Sequence, residues 1–586
     1  MDVSMFYLFD WFRSFLPLHN PIGFGVVDFI ELGLGVALVV YAVLRRRLTP
    51  LLESFAQRTA WCMALLFALP IGLRLLLLPI HPIPSPNVTD DFSYLLLGDT
   101  LAHFRLTNPP HPLHQFFETY YVLQQPTYSS IYPLGQGIVL AIGELIFRNP
   151  WAGVAISVGA MCALCYWMLR AWITPGWSLA GGLLCVIEFG PLSHWMNSYW
   201  GGAVSACAGC LAFGALPRVR EHPGVRNGLL LGAGAGLEML TRPFESVFLV
   251  IVILLYFLPV LRSRIETRYV LRAAPAAISV VLLASGLILL HNKRVTGSAV
   301  TLPYALSRYQ YGIPTTFTFQ PNPVPHLQLT AQQQLAYKIQ SSVHGDGPET
   351  LKSYFTRLRN RVGFYRFFFL PPLYLALPFF FLYLGQFRFA WVSAAILLFG
   401  VGTTFYPYFY AHYIAALTCI FVLVSVMSLA RLSRFSPAAA GILLLFCFAH
   451  FALWYGSHFG RNEEMWSYES WDTINYGDPY GRLAVNEELL KTPGKQLVLV
   501  RYRQQHTIIE WVFNSADIDH SRVVWARDLG LAENRRLLRY YPDRKVWLFE
   551  ADAHPPSLQP YEEPKLEPAP TLTKDSPGRL KFEEVK

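Results

Sequence analysis

Pro84-Ser-Pro-Asn-Val-Thr-Asp-Asp-Phe-Ser-Tyr94 opens a polar stretch that closes on Tyr132-Pro-Leu-Gly-Gln136. It is the first long polar interruption in a hydrophobic chain. It follows an apolar run, which places Asp90 and Asp91 close to a membrane surface. Carboxylates at the mouth of a membrane domain are costly unless solvated or paired. The local sequence also opens a helix: Thr89 or Asp90 is a good N-cap, and Phe92, Leu95, Leu96 and Leu101 follow. Taken alone, the stretch fits a capped amphipathic helix lying on the membrane as well as it fits a catalytic site.

The rest of the chain supplies the membrane. Of 586 residues, 53% are hydrophobic and 15% charged, with a mean hydropathy of +0.34. Soluble domains carry about 25% charged residues. Many apolar runs approach the ~20 residues that a spanning helix needs. The reading is a mainly α, polytopic membrane helix bundle in a bilayer. The net charge of +9 comes from Lys and Arg lying between apolar runs, where they set orientation, so no nucleic-acid partner is expected. All eight cysteines fall inside apolar runs, and the loops carry none to bridge. Cys162/Cys165 and Cys207/Cys210 have CxxC spacing, but without His or Cys partners nearby they read as small helix-face residues.

A first span at about 26–44 ends in Arg45-Arg46-Arg47 and reads as an anchor, not a cleaved signal. Positive-inside puts that cluster in the cytoplasm, and a second span at about 60–80 delivers Asp90 to the outer face. Residues 133–147 are apolar but short. Treating them as re-entrant or a half-helix puts Arg218, Arg220, Arg226 and the later basic clusters inside. Further spans read as about 151–169, 177–192, 203–216, 228–241, 245–260, 273–291, 366–384, 390–405, 411–430 and 437–455. That makes about 12–13 hydrophobic segments. The expected division is an N-terminal anchor and linker (1–59), a membrane domain (60–455) with extracytoplasmic loops at 84–132 and 292–365, a small extracytoplasmic α/β domain (456–555) and a disordered tail (556–586). In the α/β domain, strands are expected at 496–502, 522–526 and 545–549, and a helix at 532–540. Asp517, Asp519 and His520 there read as a turn rich in Asx residues more readily than as a metal site.

Asp90-Asp91 followed by Tyr94, then Tyr132-Pro133-Leu134-Gly135-Gln136, Thr241-Arg242-Pro243 and the aromatic cluster Tyr408–Tyr413 occur in an order and spacing that resembles the GT-C class of membrane glycosyltransferases. That class includes protein O-mannosyltransferases and lipid A aminoarabinose transferases. Leu134 stands where the class has a second Pro. The resemblance covers roughly residues 60–455 and does not place the tail. It implies a polyprenyl-phosphate sugar donor, a lipid, glycan or protein acceptor, and inverting transfer on the extracytoplasmic face of a bacterial inner membrane. It implies Asp90 as general base, with Asp91 orienting the acceptor, binding a metal or lying beside the site. Tyr94, Tyr132 and Gln136 are implied as substrate-binding. No cofactor is required, and no metal ligands are assigned, although there is room for a divalent cation.

Other residues carry two readings. Arg242 either holds the leaving phosphate, since a guanidinium forks onto phosphate oxygens, or snorkels at the interface. His412 and Tyr413 bind substrate or belong to a membrane aromatic belt. His103 and His111 bind acceptor or are solvated. Trp195, Tyr199 and Trp200 stack on a sugar or anchor at the interface, the anchor being the preferred reading. Glu238, within an apolar segment, is expected to pair with Arg242 one helical turn on. No phosphate-cradling glycine loop stands in a strand–turn–helix context, so nucleotide use is not expected. The alternatives are a transporter or flippase of polyprenyl-linked glycans, which would carry its charges at mid-membrane, and a non-catalytic scaffold.

Overall fold

Prolines open several of the apolar helices, at Pro150, Pro175, Pro243 and Pro437. A computed structural model describes residues 33, 35–37, 49–86, 88–345, 347–457, 459, 481–503, 506, 509–553 and 555–562. Among the described residues, six helices are long and apolar enough to cross a membrane: Thr59–Leu76, Pro150–Leu169, Pro243–Arg262, Arg264–Thr296, Ala411–Phe435 and Pro437–Gly456. Leu134–Phe147, Pro175–Phe189 and Phe387–Thr403 are shorter apolar helices. Leu134–Phe147, the expected half-helix, has 14 residues. At 1.5 Å per residue it reaches about 21 Å, short of the ~30 Å hydrocarbon core. The expected segments at 203–216 and 228–241 are the helices Ala203–Glu221 and Val225–Thr241.

The expected span at 366–384 is not an α-helix. It is a run of 3-10 turns, Tyr365–Phe368, Pro371–Leu375 and Leu377–Tyr383. Pro371, Pro372 and Pro378 lack the N–H that an α-helical ladder needs, and the tighter turns accommodate them. Only residues 33 and 35–37 of the expected first span are described, and its arginine cluster lies outside the described residues.

The two polar loops are folded. The first carries the helix Thr89–Ala102 and a two-stranded ribbon, β1 (Val122–Leu123) against β2 (Ser129–Ser130). The second carries Pro303–Tyr311, Ala331–His344 and Leu351–Phe364. Thr330 and Thr350 start the last two with capping boxes closed by Gln333 and Ser353.

The C-terminal region forms a four-stranded sheet. Its strands are β3 (Lys495–Arg501), β4 (Val523–Arg527), β5 (Arg544–Glu550) and β6 (Ser557–Pro560), in the order β4-β3-β5-β6. β3 runs parallel to β4 and β5, and β6 is antiparallel to β5. The strands and the helix Leu531–Tyr540 fall within a residue or two of their expected places. The sheet runs past the expected boundary at 555, because Ser557–Pro560 pairs with β5. Residues 563–586 of the expected tail lie outside the described residues.

This sheet is seated on the first loop. Leu96, Leu113, Phe116 and Phe117 share an apolar core with Leu497, Leu499, Val524 and Leu537, and Phe92 stacks on Phe513 at 4.2 Å. At the seam Arg527 donates to the Glu118 carbonyl (2.6 Å), to Gln332 Oε1 (2.6 Å) and to the Glu510 carboxylate. One buried guanidinium thus ties the sheet to both loops. Arg527→Met should leave the Glu510 charge buried without its counterion. A loss of about 3 kcal/mol is expected, read as a lower unfolding temperature and faster proteolysis of the C-terminal region.

Candidate active site

A cavity of about 580 Å³ lies under the first loop. Its walls come from the start of Thr89–Ala102, the Tyr132-Pro-Leu segment, the Thr241–Glu245 junction, the second loop, Tyr406–Tyr413, and Ile509-Glu510 of the C-terminal region. What brings the first three together is a close approach. Gly135 packs on the end of the helix Val225–Thr241, where a Cβ would collide with Thr241 Oγ1 and lie 3.0 Å from the Leu240 carbonyl. That contact sets Tyr132 and Arg242 on one cavity.

Six of the nine expected site residues line it: Asp90, Tyr94, Tyr132, Arg242, His412 and Tyr413. The Tyr132 hydroxyl donates to Asp90 Oδ1, and Tyr132 stacks on Tyr94 at 4.1 Å. A carboxylate has about four acceptor positions, so this bond leaves capacity for a substrate hydroxyl. Asp90 is half-buried because it faces the cavity, yet protein surrounds it at longer range. Burial raises its carboxyl above the usual carboxylate range, against the pull of the Tyr132 hydroxyl and the Arg242 charge. Burial also pushes the Tyr94 phenol up to about 12, so it remains a donor at neutral pH. The Arg242 guanidinium stacks over the Tyr413 ring at 4.9 Å. Among the described residues it makes no hydrogen bond and no ion pair within 4.0 Å. It is a cation facing the cavity with its donors unused.

The other three residues are placed elsewhere. Asp91, expected beside the chemistry, is buried and turned to the backbone. Oδ1 accepts from Tyr199 N at 2.8 Å and Oδ2 from Val88 N at 3.4 Å. Adjacent helix residues diverge by about 100°, which sends the second acid away from the first. Gln136 donates from Nε2 to the Tyr199 carbonyl at 2.9 Å. Asp91 and Gln136 therefore hold the two faces of one peptide segment, which carries Trp200 into the cavity wall. His103 is exposed at the end of its helix, with Nδ1 2.9 Å from the Asp99 carbonyl. His111 is buried against Asp519 and Tyr541, with Nε2 at 3.2 and 3.1 Å. It joins the first loop to the C-terminal region, and burial lowers its pKa against the pull of Asp519.

Two further expectations change. Trp195 is fully buried and stacked on Phe189, so it is core, while Trp200 meets His412 edge to face at 4.9 Å and lines the cavity. Neither stands as an interfacial anchor. Glu238 is fully buried but makes no ion pair with Arg242 within 4.0 Å, because Arg242 follows the helix end with φ −138°, ψ 79° and leaves the i+4 direction. The expected turn at 517–520 is present, with Asp517 accepting from His520 N at 3.3 Å, and Asp519 within it accepts from the Tyr541 and Tyr540 hydroxyls at 2.6 and 3.1 Å.

Sequence reasoning passed over Glu245, Tyr304, Arg308, Gln340 and Glu510, all of which line the cavity. Glu245 had a signal, an acid three residues after Arg242. The others come from segments whose approach to the first loop no local pattern announces. Among the described residues, no three His, Cys, Asp or Glu side chains are grouped to hold a metal ion.

No protein-family model matches the chain, and no curated protein matches it either. Solved structures do. ArnT from Cupriavidus metallidurans bound to undecaprenyl phosphate is 12% identical, with a TM-score of 0.49, over 84% of this chain and 93% of that one. The archaeal oligosaccharyltransferase AglB from Archaeoglobus fulgidus, in complex with an inhibitory peptide and a dolichol-phosphate, is 11% identical, with a TM-score of 0.37, over 76% of this chain and 62% of that one. A likeness at this level fixes neither substrate nor residue roles, which rest on the site itself.

Gly135→Ala should push the Tyr132 segment off Thr241 and separate Tyr132 from Arg242. The expected result is a folded protein that binds undecaprenyl phosphate, used as a probe, at least several-fold more weakly than wild type. Asp91→Ala should instead cost stability, about 1–3 kcal/mol for a buried N–H left without its acceptor, measured by thermal unfolding.

Proposed function

We propose that this protein is a membrane glycosyltransferase that moves a sugar from a polyprenyl-phosphate donor to an acceptor hydroxyl on the extracytoplasmic face. The observation that carries the reading is one aromatic-walled cavity holding both a carboxylate of raised basicity, Asp90, and a guanidinium with unused donors, Arg242.

In this reading the acceptor hydroxyl hydrogen-bonds Asp90, which takes its proton as the oxygen attacks the anomeric carbon. The bond from that carbon to the phosphate oxygen breaks, and its electron pair leaves with the lipid phosphate. Arg242 forks onto the departing phosphate. One displacement inverts the anomeric centre, so a single base suffices and no second carboxylate is needed as nucleophile. A lipid phosphate leaves readily without protonation. The Tyr132 hydroxyl holds the base in place. The distribution of basic clusters between spans supports an outward-facing site. The apolar helices support a location in the plasma membrane.

Purified full-length protein, offered a panel of undecaprenyl-phosphate sugars in detergent, should turn one over. Asp90→Asn should lower turnover by about 10²–10⁴. Turnover that survives the substitution would move the base elsewhere. Lipid bound and never cleaved would favour a transporter or scaffold. Wild-type rate should fall as pH drops through the raised pKa of Asp90, at a higher pH than an ordinary carboxylate near 3.9 would give. The stability effect has the opposite sense to catalysis. A folded-state pKa above the unfolded value contributes stability below the unfolded pKa, and that stability is lost as pH rises through the folded one. At neutral pH, Asp90→Asn should therefore melt at a higher temperature than wild type.

A further inference from the structure

Glu245 lies on the first turn of the helix Pro243–Phe257, three residues past Arg242. It is 7% exposed and lines the cavity. Among the described residues its carboxylate makes no hydrogen bond to another residue and no ion pair within 4.0 Å. An acid at a helix start complements the exposed N–H groups, but that role is met as well in solvent. The nearby Arg242 charge offsets part of the cost of that burial, but the carboxylate's hydrogen-bonding capacity stays unspent, which points to a partner that arrives with the substrate.

The surroundings narrow its chemistry. Nine tyrosines and Trp200 line the same cavity, offering flat faces and hydroxyl rims. His291 Nε2 and Asn292 Oδ1 belong to residues that also line it and are 3% exposed, and both atoms are buried without a hydrogen-bond partner. The unspent capacity is therefore a carboxylate, an imidazole nitrogen and an amide oxygen. A phosphate finds only repulsion in the carboxylate and the amide oxygen. A group of several hydroxyls, each able to donate and accept, matches all three.

We propose that Glu245 reads the hydroxyls of the transferred sugar, with His291 and Asn292 completing a polyol subsite distinct from the phosphate position at Arg242. The inference rests on the transferase reading above. It makes Glu245 a specificity-determining residue, because a site built to bind hydroxyls leaves buried groups unpaired when they are missing.

The test uses full-length protein in nanodiscs and two kinds of probe: bare undecaprenyl phosphate, and undecaprenyl phosphate carrying single hexoses or pentoses. Wild type should bind at least one sugar-bearing lipid about tenfold or more tighter than the bare lipid. Glu245→Gln should lose most of that preference while its affinity for bare lipid stays within about twofold. His291→Gln, which leaves Glu245 in place, should reduce the same preference and decides the matter if Glu245→Gln does not fold. A preference unchanged in both variants overturns the inference. So does an equal weakening for both lipids, which marks a structural role, and so does a wild type without preference for any sugar. A wild type that binds no polyprenyl phosphate at all defeats the transferase reading itself, and the inference with it.

Discussion

The site depends on one close approach of backbone to helix end. Gly135 lets the Tyr132-Pro-Leu-Gly segment lie against Leu240 and Thr241, so the first loop and the Thr241-Arg242-Pro243 junction face one cavity. Tyr132 then reaches Asp90 on one side, while Arg242, leaving its helix in extended conformation, faces in from the other. Any side chain at position 135 would wedge these apart. Asp90 and Arg242 are thus kept on one cavity by the absence of a methyl group.

A second constraint is the burial of the seam between the C-terminal sheet and the loops. The sheet contributes Ile509 and Glu510 to the cavity wall. Glu510 is held there by Arg527, the Tyr502 hydroxyl and the N–H groups of Trp511 and Val512 at 3.0 and 3.1 Å. His506 braces the same segment, with Nδ1 2.6 Å from Asp552 and Nε2 2.5 Å from the Ile509 carbonyl. A carboxylate satisfied on this many sides supports the wall and has little capacity left for substrate. This contrasts with Glu245, which is as deeply placed and unpaired. Two buried acids in one cavity therefore have opposite characters, set by what surrounds them.

Asp91 and Gln136 show how a motif residue can matter without touching substrate. Both grip Tyr199, one at its N–H and one at its carbonyl, and the Tyr199 hydroxyl in turn donates to the Pro84 carbonyl at 2.8 Å. The loop that follows brings Trp200 against His412. Neighbouring positions in a short motif thus divide between facing the cavity and positioning a second wall.

Short motifs singled out Asp90, Tyr94, Tyr132, Arg242, His412 and Tyr413 through their resemblance to a family, and packing brings them to one cavity. The sequence by itself determined the apolar helices and three of the C-terminal strands with their helix. These are local facts: hydropathy, capping and strand composition act within a few residues. The misplaced elements follow from the same locality. An apolar run at 366–384 reads as a span until its three prolines are counted, and Glu238 reads as a partner for Arg242 only while the helix is taken to continue. Tertiary structure alone decided that Asp91 turns to the backbone around Tyr199, that Glu245, Tyr304, Arg308 and Gln340 join the cavity, and that the C-terminal sheet closes one wall. Those outcomes depend on contacts between segments up to 430 residues apart, such as His111 Nε2 to the Tyr541 hydroxyl. Packing geometry, not residue pattern, settles contacts at that separation.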